Sequence, residues 1–109
     1  MAPGSDTKGR TRVASVGDLG EGNVMRVEVE GHALCLARVA GGGFFAIDDR
    51  CTHEDVELSD GDLDGFEVEC PMHGSRFDVR DGAVCGLPAT VPTTTYAVDV
   101  DGDDVFVQL

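Results

Sequence analysis

Hydrophobic residues recur along this chain at the two-residue spacing of strands, and no window carries the 3.6-residue period of an amphipathic helix. The clearest stretch is Val24 to Glu30, where Met25, Val27 and Val29 share one face and Arg26, Glu28 and Glu30 the other. Gly31-His32 then turns the chain into the strand Ala33–Val39, apolar over Ala33–Ala37, and Gly41-Gly42-Gly43 turns it again into Phe44–Ile47, so this pair reads as a hairpin. A short strand over Arg12 to Val16, ended by Gly17-Asp18, precedes them. Further on, Phe66–Glu69 and Arg76–Val79 read as strands, and Asp81-Gly82 is a hairpin signal leading into Ala83–Cys85. Thr94–Val100 and Val105–Leu109 close the chain across Asp101-Gly102-Asp103-Asp104. The pattern predicts an all-β domain of about nine or ten strands, with Tyr96 and Phe106 as core or sheet-face residues.

Length and composition narrow this picture. At 109 residues the chain has room for one domain with one core. Residues 1–10 read as a loose polar tail without the apolar middle of a signal peptide, leaving 11–109 as the domain. No apolar run approaches the roughly 20 residues that cross a bilayer. The expected location is therefore the cytoplasm, without a membrane partner. The net charge of −13, from 21 acidic and 8 basic residues, sets the chain against phosphate backbones and so against nucleic acid. Such a field steers a protein toward basic docking patches, although acidity also serves plain solubility. Gly41–Gly43 lacks the spacing of a dinucleotide fingerprint, and no nucleophile–base constellation is present.

The chemistry is concentrated between Cys51 and His73. Cys51-Thr52-His53 and Cys70-Pro71-Met72-His73-Gly74 are two mixed pairs of soft thiolate and borderline imidazole, the donors that zinc and iron–sulfur clusters select. In an extended Cys-x-His the two side chains face the same way, roughly 6–7 Å apart. That offset suits a cluster of two irons, one reached by each ligand. Structural zinc sites usually keep two Cys together and two His together. The mixed split instead matches the ligand inventory in which His₂ replaces Cys₂ on one iron. Cys35, inside Ala33–Ala37, reads as an inert core thiol, and Cys85 as a structural, buried one. His32 reads as a surface histidine.

These residues carry a family resemblance. Cys-Thr-His followed by Cys-Pro-Met-His-Gly-Ser-Arg-Phe-Asp resembles the Rieske iron–sulfur proteins, most of all the small ferredoxins of bacterial ring-hydroxylating dioxygenases. Phe44-Phe45-Ala46-Ile47-Asp48, the Asp81-Gly82 turn, Leu87-Pro88-Ala89 and Thr95-Tyr96-Ala97-Val98 extend the likeness over about residues 12 to 109. The resemblance implies an antiparallel β-sandwich or barrel base with a cluster-binding subdomain inserted at about 48–88. It also implies one Rieske [2Fe-2S] cluster, with Cys51 and Cys70 on the inner iron and His53 and His73 on the outer. The implied role is a one-electron carrier rather than an enzyme, a monomer running from a flavin-dependent NAD(P)H reductase to a terminal oxygenase. A permanent subunit of another oxidoreductase, nitrite-reductase-like or a monooxygenase component, is the alternative, and a structural zinc domain the remote one. Val56 and Met72 stand where the respiratory branch carries two bridging cysteines, so that disulfide is absent. High-potential relatives place Ser and Tyr where this chain has Ser75 and Phe77, which implies a potential at the low end of the range. Glu54–Asp62 is expected to be a solvated connection, and Met72 with Leu87 an apolar rim for docking.

Overall fold

A computed structural model describes residues 10–52, 56–72, 74–87 and 89–109. Ten strands alternate with tight turns, and among the described residues the only helical pieces are two single 3-10 turns. The strands are β1 (Arg10–Ser15), β2 (Asn23–Val29), β3 (His32–Val39), β4 (Gly43–Asp48), β5 (Asp62–Asp64), β6 (Glu67–Glu69), β7 (Arg76–Asp78), β8 (Val84–Gly86), β9 (Thr95–Asp101) and β10 (Asp104–Gln108). Six form one sheet in the order β1-β10-β9-β4-β3-β2, and four form a second in the order β5-β6-β7-β8, all antiparallel. β1 and β2, the ends of the first order, also come into contact, so the large sheet curls into a barrel-like base.

Two apolar cores follow from strand alternation. Met25, Val27, Val29, Leu34, Leu36, Ala46, Val105 and Val107 point to the inside of the base. Cys35, Ala37, Val39 and Ile47 point outward, and there they meet Leu58, Val68, Phe77, Val79 and Ala89 of the second unit. β3 is therefore covered on both faces, which is why Ala33–Ala37 reads as an unbroken apolar run instead of an alternating one. Burying these side chains, at about 25 cal/mol per Å² of apolar surface, fixes the small sheet on the base.

Several local expectations change. The β2–β3 turn is Glu30-Gly31, both with positive φ (51° and 85°), as a two-residue hairpin with right-handed twist requires. His32 pairs with Val29 as the first residue of β3 and is exposed. Arg10, read as tail, begins β1 opposite Gln108. Val16, read as strand, instead opens a 3-10 turn whose entry is fixed by the Ser15 N–H donating to Asp18 Oδ2 at 2.9 Å.

The largest revision concerns the acidic connection Glu54–Asp62. Its residues 54 and 55 lie outside the described ones, but the remainder is built in rather than merely solvated. Leu58 is fully buried in the outer core, Leu58–Asp60 forms the second 3-10 turn, and Asp62–Asp64 pairs with Glu67–Glu69 as β5. A three-residue strand with one apolar residue between two carboxylates is too short for periodicity to register.

Candidate metal centre

The chain leaves β4 along a path of hydrogen bonds that forms the neck of a loop. The Asp48 N–H donates to Thr94 O (3.0 Å), and Tyr96 OH donates to Asp48 Oδ1 (2.6 Å). The Asp49 N–H donates to Ala33 O (3.1 Å), and Asp49 O accepts the Leu58 N–H (2.7 Å). Arg50 bridges to Glu57, and the Cys51 N–H donates to Val56 O (3.0 Å). The bond between Cys51 and Val56 thus closes the neck, and Cys51 stands where the loop leaves it. Asp49, buried to 2% exposure, accepts the Ser59 N–H at Oδ1 (2.7 Å) and the Ser59 hydroxyl at Oδ2 (2.8 Å).

The second tip joins β6 to β7 one residue beyond the Glu69–Arg76 pair. The Cys70 N–H donates to Ser75 O (2.7 Å), and the Gly74 N–H returns to Cys70 O (3.2 Å) with φ 77° at Gly74. Behind this tip the Arg76 guanidinium reaches Asp64 (3.2 Å), Glu67 (3.3 Å) and Glu69 (3.2 Å), which holds it charged above its already high ordinary pKa.

A third segment, beyond β8, is tied to both tips. Thr52 Oγ1 donates to Val91 O (2.6 Å), and the Ala89 N–H donates to Ser75 Oγ (3.0 Å). The segment is anchored at its far end where the Thr93 N–H donates to Gly82 O (2.9 Å). Ala89 and Ser75 are buried, whereas Met72, Leu87 and Val91 stand exposed at 58%, 76% and 56%.

Of the expected ligands, Cys51 and Cys70 are both buried, unbridged, and members of the same core cluster. His53 and His73 lie outside the described residues. Among the described residues no group of three or more His, Cys, Asp or Glu side chains gathers as a metal site. Two shielded thiols presented on hairpin tips, with no disulfide between them, nevertheless fit the thiolate half of a two-iron site. The other two cysteines divide. Cys35 is fully buried, and burial, with the nearby Asp49 charge, pushes its thiol far above the usual range, so it is inert as expected. Cys85 is exposed, contrary to expectation, because its strand β8 is an edge. Its thiol is nonetheless raised, by desolvation and then by Glu67 and Asp78, which keeps it protonated. Sequence reasoning missed Asp49, Ser59, Thr52 and Arg26. Arg26 appeared only as a polar-face residue of β2, yet its guanidinium reaches Glu57 at 3.0 Å and Asp49 at 3.9 Å.

An all-β module with two buried thiols in one core cluster, carried on separate loops, has what an iron–sulfur electron carrier needs. Residues 9–97 match the Rieske [2Fe-2S] domain, and the chain belongs to that family. One Rieske-type [2Fe-2S] cluster is its cofactor, which removes the zinc reading. The ferredoxin component of biphenyl 2,3-dioxygenase from Rhodococcus jostii is 46% identical over 91% of this chain and 92% of its own length. Among solved structures, the ferredoxin of carbazole 1,9a-dioxygenase from Nocardioides aromaticivorans superposes with a TM-score of 0.87 at 36% identity, covering 91% of this chain and 96% of that one. A complex of reduced oxygenase and oxidised ferredoxin in carbazole 1,9a-dioxygenase matches with a TM-score of 0.86 at 38% identity, covering 92% and 93%. Ferredoxin components of this kind carry electrons and are not the catalytic subunits, and this chain is such a carrier. No helix among the described residues is long and apolar enough to cross a membrane.

Proposed function

We propose that this chain is the ferredoxin of a ring-hydroxylating dioxygenase system, taking single electrons from a flavin-dependent NAD(P)H reductase and delivering them to a terminal oxygenase. It would act in the cytoplasm as a monomer, where its pyridine-nucleotide-linked partner is supplied. The observation that carries this reading is the burial of Cys51 and Cys70 within one core cluster, with Met72, Leu87 and Val91 exposed on the adjoining segments. Cys51 and Cys70 would hold the inner iron as thiolates, and His53 and His73 the outer iron through ring nitrogens. When bound, the cluster supplies one reversible electron with no bond made or broken in a substrate. The protein's own part is to hold the thiolates dry, to fix both tips through Ser75 and Thr52, and to present an apolar rim on which a partner sheds water. Relatives named for biphenyl and carbazole systems support the idea that the ring substrate is chosen elsewhere.

The test is metal and sulfide analysis of the purified protein, with an EPR spectrum after dithionite reduction. Two irons, two sulfides and the low-average-g signal of mixed imidazole–thiolate ligation are expected. Product formation by a biphenyl-type oxygenase and reductase pair should then depend on adding this chain. One zinc and no EPR signal would overturn the ligand assignment, and no stimulation of the oxygenase by the reduced protein would overturn the partner.

A further inference from the structure

Asp49 is the only charged side chain among the described residues that is buried, and the carrier role does not use it directly. Its place is unusual for a carboxylate. Three of its polar groups tie together chain segments that are otherwise separate: the backbone N–H bonds to Ala33 on β3, the carbonyl accepts from Leu58, and the side chain accepts twice from Ser59. Both side-chain oxygens serve as acceptors, the bonding pattern of an ionised carboxylate. The neighbouring cation is Arg26, on β2 of the base, whose side chain is 40% exposed. Arg26 in turn grips Glu57, the residue that faces Arg50 across the loop neck. Cys51 is two residues away, so its Cα lies at most about 7 Å from that of Asp49.

We propose that Asp49 and Arg26 form a charge pair that positions the Cys51 loop and places opposite electrostatic biases on the cluster it holds. The proposal rests on the cluster reading above. Asp49 fixes where the loop begins and, through Ser59, where it ends, so the Cys51 sulfur is presented from a neck that cannot open without breaking four hydrogen bonds. A buried negative charge beside an acceptor of electrons disfavours reduction, and a positive one favours it. Arg26 is nearer water, so its bias is the smaller.

The experiment uses holo-protein in three variants, Asp49→Asn, Arg26→Gln and Arg26→Lys, each read by redox titration and by the rate of iron loss to a chelator. Asn keeps the shape and one acceptor for Ser59 but not the charge. Asp49→Asn should raise the potential and Arg26→Gln lower it by less, with Arg26→Lys close to the parent. Iron loss should quicken in Asp49→Asn by roughly tenfold or more, as for other residues that orient metal ligands. Shifts of the same sign in Asp49→Asn and Arg26→Gln would overturn the proposal, since a general loosening moves both alike. So would unchanged potentials in both. If Asp49→Asn does not fold, the Arg26 pair decides, and an equal fall in Gln and Lys would overturn the charge assignment. A parent protein without iron would refute the cluster reading itself, a result separable from every outcome above.

Discussion

Ser75 and Phe77 lie two and four residues beyond His73, and both are fully buried. Ser75 Oγ accepts the Ala89 N–H, which leaves its own hydroxyl proton for donation within the site. Ser75→Ala should therefore lower the reduction potential and loosen the covering segment, whereas Phe77→Tyr, adding a donor, should raise the potential. Redox titration checks both, and the parent should sit near the lower bound of about −150 mV for Rieske centres. Asp78 offers a second test at this scale. Arg80 donates to both of its oxygens (3.0 and 2.7 Å) and holds its carboxyl below the usual range. The folded state then binds that proton less readily than the unfolded chain does. The pair contributes stability above about pH 4 that is lost as pH falls through the lowered pKa. Asp78→Asn should be less stable at neutral pH and show a flatter acid limb in thermal melts. Cys51 and Cys70, both buried, were legible as candidate ligands because Cys and His at fixed spacing have few other uses, as were His53 and His73, which lie outside the described residues. Asp49 was not, because an Asp on a loop is ordinarily solvated, and only the fold shows that Leu58 and Ser59 close over it.

Among elements, the turns discriminate best between tolerance and constraint. Gly82 and Gly65 both adopt positive φ (78° and 62°), which costs any L-residue roughly 1–2 kcal/mol. They differ in surroundings. A methyl at Gly65 meets nothing, whereas one at Gly82 runs into the carbonyl of Thr93, which anchors the covering segment. Gly65→Ala should therefore cost only about the conformational penalty. Gly82→Ala should cost clearly more in thermal denaturation and also speed iron loss. Equal costs would mean that the anchor at Thr93 yields freely. Most strands of the base were legible because alternation in β2 and the apolar run of β3 are strong patterns. β5 was not, since its Asp-Leu-Asp carries a single apolar residue. The division into two sheets was not shown by periodicity and entered only through the family resemblance, as a base with a subdomain inserted at about 48–88. It depends on Arg10 pairing with Gln108 across almost the whole chain, and on β3 burying both faces.

For the whole molecule the decisive quantity is the imbalance of 21 acidic over 8 basic residues. The arginines do not stand apart from it. Arg12, Arg26, Arg76 and Arg80 each face carboxylates, and Arg26 and Arg76 face three apiece. The remaining negative charge is thus presented outward, including Asp60 beside Pro71 and Met72 in a groove of about 790 Å³ that flanks the second tip. A partner with a basic docking patch would be drawn in faster than diffusion alone allows, by a factor of roughly 10–10³ at low ionic strength. Long-range attraction fades once the screening length shortens from about 30 Å at 0.01 M salt to about 10 Å at 0.1 M. The apolar contacts of Met72, Leu87 and Val91 do not depend on salt in this way. The second-order rate of electron delivery to the oxygenase should accordingly fall steeply over that range in stopped-flow measurements, and then level off. Asp60→Asn should flatten the fall, and Met72→Ala should lower the rate by a similar factor at every ionic strength. A rate indifferent to salt would assign the acidity to solubility alone and leave the apolar rim as the whole of the recognition.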